Sequence, residues 1–449
     1  MGIALLFVYV LVGIFGLVAF QSQGGGVLHL KYLSIPAVFF FSWVGRIYVP
    51  AIFVIPSLEP EVAFRYALSV ASVLLTVPIG MAAVNLVFGF SIREIRRFHD
   101  RRIVASGWKS WNSIALGVLL LGALSLTVYY LYYTPTVALF TLLSRAGSSL
   151  EIALAREASF KLLDGGILYA FAWLRNTVWP FLILLTFAMF YTRRSRGWLA
   201  LFMLSLFAGS FYAALSTARG PLAMIAFDLV LILYLLRKGR FRLRTYGAAL
   251  VGVFSLPVLF TALRSSGGWS LSLTRLIDVL YSVVIRRVFI LPADVLASYF
   301  EVFPSVHPHL AGASLSIASL WGVVPFDVGN YVAMYRGGTI ATATSNAAFI
   351  GSAWADFGWS GVLGFGLLLG VLLQMANLWV VRRRKTPTSY VLFVLFGAVA
   401  FGLVSRPLSS SLVTHGGLAA IMVFLAFRYG SIVLKGAADP PVQGDPTAD

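Results

Sequence analysis

No cysteine occurs in the 449 residues, which excludes disulfides, thiolate metal sites and a cysteine nucleophile. Charge is also scarce: Asp, Glu, Lys and Arg make up 11% of the chain, against about 25% in a soluble globular domain. Intrinsic disorder is excluded from the other side, because 59% of the residues are hydrophobic and the mean hydropathy is +0.90. Acidic residues are the rarest charges, 16 against 34 basic ones, for a net charge of +18. The basic excess sits in loops between apolar runs, so it does not indicate nucleic acid. There is no P-loop, no G-x-G-x-x-G in a βαβ setting, no G-x-S-x-G and no H-E-x-x-H, which leaves nucleotide-driven transport and zinc proteolysis without a motif. The alternating ten-residue strands of a membrane barrel are missing, as is any repeat of 20–50 residues.

What the chain has instead is long apolar runs, and about 20 apolar residues span a bilayer as a helix. The expected fold is an all-α polytopic bundle of eleven spans, at about 3–20, 34–56, 66–90, 113–133, 166–191, 198–216, 221–236, 247–263, 360–381, 389–405 and 418–434. The first run lacks a basic leader and a small-residue cleavage site, so it reads as a retained span. Arg93 to Lys109, Arg193 to Arg196, Arg237 to Arg244 and Arg382 to Lys385 fall on every second connection. That parity places these loops in the cytoplasm. Residues 1–435 then form one transmembrane domain with a large outer loop at 264–345, and residues 436–449 read as a disordered cytoplasmic tail. Ile277–Leu291 and Leu315–Val324 are apolar enough for short or re-entrant helices, and Pro135–Asp164 reads as an amphipathic surface helix.

Cations on the outer face run against the insertion bias and ask for a reason. Arg219 lies in a tight turn between spans, Arg264 and Arg406 end spans, and Arg286 and Arg287 sit inside an apolar segment. A half-dry guanidinium needs an anion, and carboxylates near these positions are few. An external phosphate or pyrophosphate answers that need through the planar donor fork of arginine. Snorkelling to lipid headgroups is the alternative for a single terminal Arg. Within spans, Arg46, Arg175 and Asp228 are costly. They are read as a packing pair, Asp228 with Arg175 or Arg46, or else as an ion relay. Glu59 and Glu61 in the first outer loop leave open a metal-dependent transferase, but no metal site is assigned, since His307 and His309 lack a carboxylate nearby.

Several segments carry a resemblance. Ser216-Thr-Ala-Arg-Gly-Pro-Leu222 resembles the Ser-Arg-Gly-hydrophobic turn of the oligosaccharide repeat-unit polymerases, the O-antigen polymerase family. So do Arg287 to Pro292, Tyr299 to Pro304 and Leu310 to Ser314. Thr344 to Gly361 is similar to that family's small-residue and F-G-x-x-G approach to a late span. The match covers about residues 205–375 in the family's order. It implies a GT-C-like membrane glycosyltransferase of the bacterial inner membrane, working without a cofactor on the periplasmic face. Its substrates would be undecaprenyl-pyrophosphate-linked oligosaccharides, with lipid pyrophosphate as the leaving group and a chain-length regulator as a possible partner. The related O-antigen ligases carry His-Asn where this chain has Ser345-Asn346, so a ligase-like transferase is the alternative, with Asn346 as a glycan contact. A lipid-oligosaccharide or small-solute transporter is the alternative from another class.

Two jobs follow from that reading. Arg219, Arg264 and Arg287 are expected to stabilise charge on the departing pyrophosphate, with Arg286 and Arg406 as second choices. The base that takes the acceptor's proton stays open among His415, Glu301, His307, His309, Asp294, Asp327 and Asp356. His415 gains from its nearness to Arg406, and Glu301 from its aromatic neighbours.

Overall fold

The computed structural model describes residues 2–23, 26–27, 32–101, 108, 110–134, 136–144, 151, 154–155, 165–237, 247, 277–278, 280–338 and 345–438. Every regular element among them is helical. The α-helices are α1 Gly2–Ser22, α2 Ile35–Trp43, α3 Val49–Val54, α4 Pro60–Phe88, α5 Ile92–Asp100, α6 Ser110–Tyr133, α7 Ala138–Leu143, α8 Gly165–Trp173, α9 Trp179–Arg193, α10 Arg196–Leu215, α11 Arg219–Leu236, α12 Leu291–Val302, α13 Val328–Tyr335, α14 Phe349–Val381, α15 Pro387–Gly402, α16 Leu408–Val413 and α17 Gly417–Ala438. Among the described residues, eight helical stretches are long and apolar enough to cross a bilayer, and two shorter apolar helices, Leu6–Ser22 and Gly220–Leu236, accompany them. The chain is a multi-pass helical membrane bundle. The expected span 247–263 lies outside the described residues but for residue 247, and so does most of the tail.

The centre of the bundle is the pair α4 and α14. Gly80 and Gly370 put these backbones in direct contact: a Cβ on Gly80 would stand 3.0 Å from Gly370 Cα and collide with the Leu367 carbonyl. Gly366 and Gly370 form a G-x-x-x-G step, the small-residue spacing that lets helices approach without a side-chain layer. A Cβ on Gly366 would run into Thr76. Further along, Gln374 Nε2 donates to Asn85 Oδ1 at 2.6 Å, so the pair is also joined by a polar contact. Helix α1 packs on α4, α15 on α2, and α9 on α10.

Basic loops gather at one end. Helix α5 starts with a capping box, Ser91 with Glu94, and ends in Arg97 and His99. Arg382 holds Glu94 at 2.8 Å and the Phe88 carbonyl at 2.8 Å. Lys385 is buried and donates to the carbonyls of His99 and Arg101, each at 2.6 Å. Trp108 meets Trp198 ring to ring at 5.2 Å, bringing the loop before α6 to the first turn of α10.

Four segments differ from the expectation. The late span begins at Phe349, eleven residues before 360, because Gly358 adopts φ 58, ψ −135 and lets helix continue on both sides of a kink. The third span likewise begins at Pro60. Ile277–Leu291, expected as a short or re-entrant helix, is helical, but over Tyr281–Ile290 the helix is of π type and leads into α12. Leu315–Val324 forms only a 3-10 turn, Ala318–Trp321, closed by Gly322 at φ 70. Of Pro135–Asp164, the described helix is α7, and most of the remainder lies outside the described residues.

Candidate functional site

Three π-helical stretches occur among the described residues, and each carries arginine. Val44–Tyr48 holds Arg46, Leu174–Val178 holds Arg175, and Tyr281–Ile290 holds Arg286 and Arg287. Each is followed by an α-helix with proline in its first turn, at Pro50, Pro180 and Pro292. The cause is local. Proline lacks the N–H that a carbonyl four residues earlier expects, and its ring crowds that carbonyl, so the preceding turn widens. A widened turn has carbonyls to spare. Val288 O, four residues before Pro292, accepts from Arg46 Nε at 3.0 Å.

Arg46 also reaches the end of α15. Its Nη1 donates to Phe401 O at 3.5 Å, and its guanidinium lies 4.9 Å from the Phe401 ring centre. Arg406 folds back on the next residue, where a Cβ on Gly402 would stand 3.3 Å from Arg406 Nη1. Arg175 approaches from the other side. Its π-turn is tied to the segment before α17: Trp173 Nε1 donates to Val413 O at 2.5 Å and Thr177 Oγ1 to Gly416 O at 3.4 Å. Gly416 is at φ 100, and a side chain there would collide with Thr177, so this turn requires glycine.

The result is one polar cavity away from the basic end, lined by Arg175, Asn176, Asp228, Arg406 and His415 among others. It encloses about 40 Å³, room for water. Its polar groups are under-satisfied. Asn176 Nδ2 and Asp228 Oδ1 are buried without hydrogen-bond partners. Arg406 makes no hydrogen bond or ion pair among the described residues. Burial, aided by the charge of Arg175, pushes the Arg406 guanidinium down to about 10, so it is still a cation at neutral pH.

His415 is held in a defined orientation. Its Nδ1 lies 3.1 Å from Ser410 O and 2.9 Å from Thr414 Oγ1, while Thr414 Oγ1 donates to Ser410 O at 2.8 Å. A carbonyl accepts only, so Nδ1 carries the proton and Nε2 presents its lone pair. Nε2 has no hydrogen-bond partner among the described residues. This is the arrangement of a base whose tautomer is fixed from behind.

The other sequence candidates are placed as follows. Arg406 and His415 share the cavity. Arg264 lies outside the described residues. Arg219 begins α11, whose Pro221 lines the cavity, but its side chain lies outside the described residues. Arg286 and Arg287 are exposed and do not line the cavity. Glu301 is half-buried on α12, and Asn346 is exposed with its Oδ1 against Gly329. The remaining base candidates have structural partners. Asp294 pairs with Arg336 at 2.5 Å, and Asp327 caps α13 through the Asn330 N–H at 2.9 Å. His307 packs edge-on or tilted among Phe303, Phe326 and Tyr331. His309 contacts Ala355 O at 3.3 Å and packs over Gly358. Asp356 accepts from Ser314 Oγ at 2.6 Å and Ser314 N at 3.1 Å. Glu61 pairs with Arg65 one turn along α4.

Asp228 forms no ion pair with Arg175 or Arg46, so the packing pair expected between them is absent. Sequence reasoning read Arg46 and Arg175 as a packing pair with Asp228 or an ion relay, whereas Arg175 lines the cavity with Arg406 and Arg46 is held outside it by Val288 O and Phe401. An arginine four or five residues before a proline inside an apolar span is the signal that marks both. No protein-family model, curated protein or solved structure matches this chain.

Proposed function

We propose that the chain is a membrane glycosyltransferase that polymerises lipid-linked oligosaccharide repeat units on the outer face of the bacterial inner membrane. On this reading it is a GT-C-like bundle of eleven spans, with the basic loops inside and the arginine cavity outside. The growing glycan leaves undecaprenyl pyrophosphate and joins the sugar end of a new lipid-linked unit. The bond between the anomeric carbon and the pyrophosphate oxygen breaks, and pyrophosphate departs with the electron pair. The acceptor hydroxyl forms the new bond, and its proton passes to His415 Nε2.

One observation carries the reading: among the described residues, Arg406 presents unsatisfied donors beside Arg175 at the cavity, with Asp228 the one carboxylate lining it. Preorganised cations of this kind stabilise charge that develops on a leaving group without reorganising. Because the cavity is water-sized, the head group belongs at its mouth, on Arg406, with one phosphoryl oxygen replacing cavity water. The other guanidinium sets the field there, and the shared turn before α17 keeps His415 beside it.

A second reading has its own observation. Asp228 is 3% exposed, lies midway along α11 and has no partner for Oδ1, as an ion-coupled transporter requires. Incubation of purified protein with a defined undecaprenyl-pyrophosphate oligosaccharide, followed by product sizing, separates the two. A ladder of repeats is the expected result; a single transfer to another acceptor would indicate a ligase. Unchanged substrate, with uptake of the lipid-linked unit into proteoliposomes, would overturn the polymerase assignment in favour of transport.

A further inference from the structure

A second cavity, of about 260 Å³, opens between α14, α15, α16 and α17. Its lining is apolar throughout and includes Leu372 and Ala376 on α14, Val399 on α15, Leu412 on α16 and Leu418 on α17. Val399 lines the arginine cavity as well. One residue of α15 therefore separates the two spaces. The chain around the head-group arginine repeats this adjacency: Leu403 and Leu408, which flank Arg406, both line the apolar groove. Along α14 the groove runs from Leu369 to Trp379, ten residues or about 15 Å of helix. That is half of a hydrocarbon core of about 30 Å.

We infer that this groove holds the isoprenoid chain of the same lipid whose pyrophosphate meets Arg406. The inference rests on the proposed function for the identity of the head group, and it adds where the tail lies. An amphiphile with a doubly charged head and a long apolar tail needs a cationic place and an apolar one joined at a single point, and Val399 is that point. Ordinary bilayer lipid is the competing occupant. Its head group carries one phosphate and no demand for a second guanidinium, so charge complementarity at Arg406 and Arg175 favours the pyrophosphate lipid. Seating the tail also limits the head group to rotation about a fixed point, which holds the scissile bond at the cavity mouth.

The test uses full-length protein in nanodiscs, with undecaprenyl pyrophosphate and inorganic pyrophosphate as separate probes. Ala376→Trp and Leu418→Trp each fill the groove from a partly exposed position, so at least one is expected to yield folded protein. The plugged variants should bind undecaprenyl pyrophosphate about tenfold or more weakly, the loss of burial for a few methylene groups. Their binding of inorganic pyrophosphate should be unchanged. A photoreactive benzophenone residue at Leu372 gives an independent measurement, expected to capture the radiolabelled lipid in membranes. Full lipid affinity in a folded plugged variant, or capture at Leu372 that phosphatidylglycerol suppresses as well as unlabelled undecaprenyl pyrophosphate does, would overturn the tail site. Arg406→Gln separates the two ideas. Loss of both probes supports the head-group reading whatever the groove does, and retention of both would sink that reading by itself.

Discussion

Arg406 offers the donor fork of a guanidinium and meets no acceptor among the described residues. A cation in that condition is expensive unless a ligand completes it, so its removal should be felt in turnover more than in folding. Arg406→Gln should lower the rate of chain lengthening about 10²–10³-fold. Arg406→Lys should recover only part, since an ammonium cannot reproduce the planar fork. Both are read from product ladders at equal amounts of inserted protein, and a normal ladder from Arg406→Gln would remove the arginine from the chemistry. His415 makes a different demand. With Nδ1 committed to Ser410 O, it acts through Nε2. His415→Gln should reduce turnover about 10²–10⁴-fold while leaving pyrophosphate binding intact. Loss of binding together with turnover would mean that His415 only supports Arg406.

Helices meet their breaks at chosen places. The kink of α14 at Gly358 turns the carbonyls of Ala355 and Asp356 outward, where Leu310 N and Ala311 N take them at 2.9 and 3.0 Å. The backbone conformation there is open essentially to glycine, and a Cβ would stand 3.1 Å from His309 Nε2. Gly358→Ala should cost about 1–3 kcal/mol, read as a lower melting temperature in detergent; an unchanged melt would mean the segment around Leu310 does not depend on the kink. At the basic end, α5 is fastened by His99, whose Nε2 donates to Leu33 O at 2.8 Å. Burial, with the Lys385 ammonium beside it, pushes His99 down from 6.5 to about 4. The unfolded chain then takes up a proton that the folded one refuses. Stability is therefore complete above about pH 6.5 and falls as the pH drops towards 4, by up to about 3 kcal/mol. His99→Gln keeps a donor for Leu33 O and does not titrate, so its melting temperature should lose that acid dependence. An equal slope in the variant would assign the acid sensitivity to another group.

At the scale of the whole molecule, the bundle was legible because apolar length is a local property: ten expected spans coincide with helices, and the basic loops examined share an end. The start of α14 was not. Asp356 and a glycine-rich stretch resemble a loop in sequence, and the group that satisfies the Asp356 carboxylate, Ser314, belongs to a different segment. Half of the site was visible for the same reason. Arg406 and His415 are close in sequence, whereas Arg175 joins them only through folding, by way of a turn tied to Gly416. Pairing each buried arginine with the nearest buried carboxylate was sound electrostatics, but Asp228 makes no ion pair with either, although it lines the same cavity as Arg175. The glycine contact between α4 and α14 has one further consequence. Two backbones touching without a cushion of side chains cannot slide, so this pair is a keel. Were the proposed transfer to need a wider bundle, the room would have to open away from this seam.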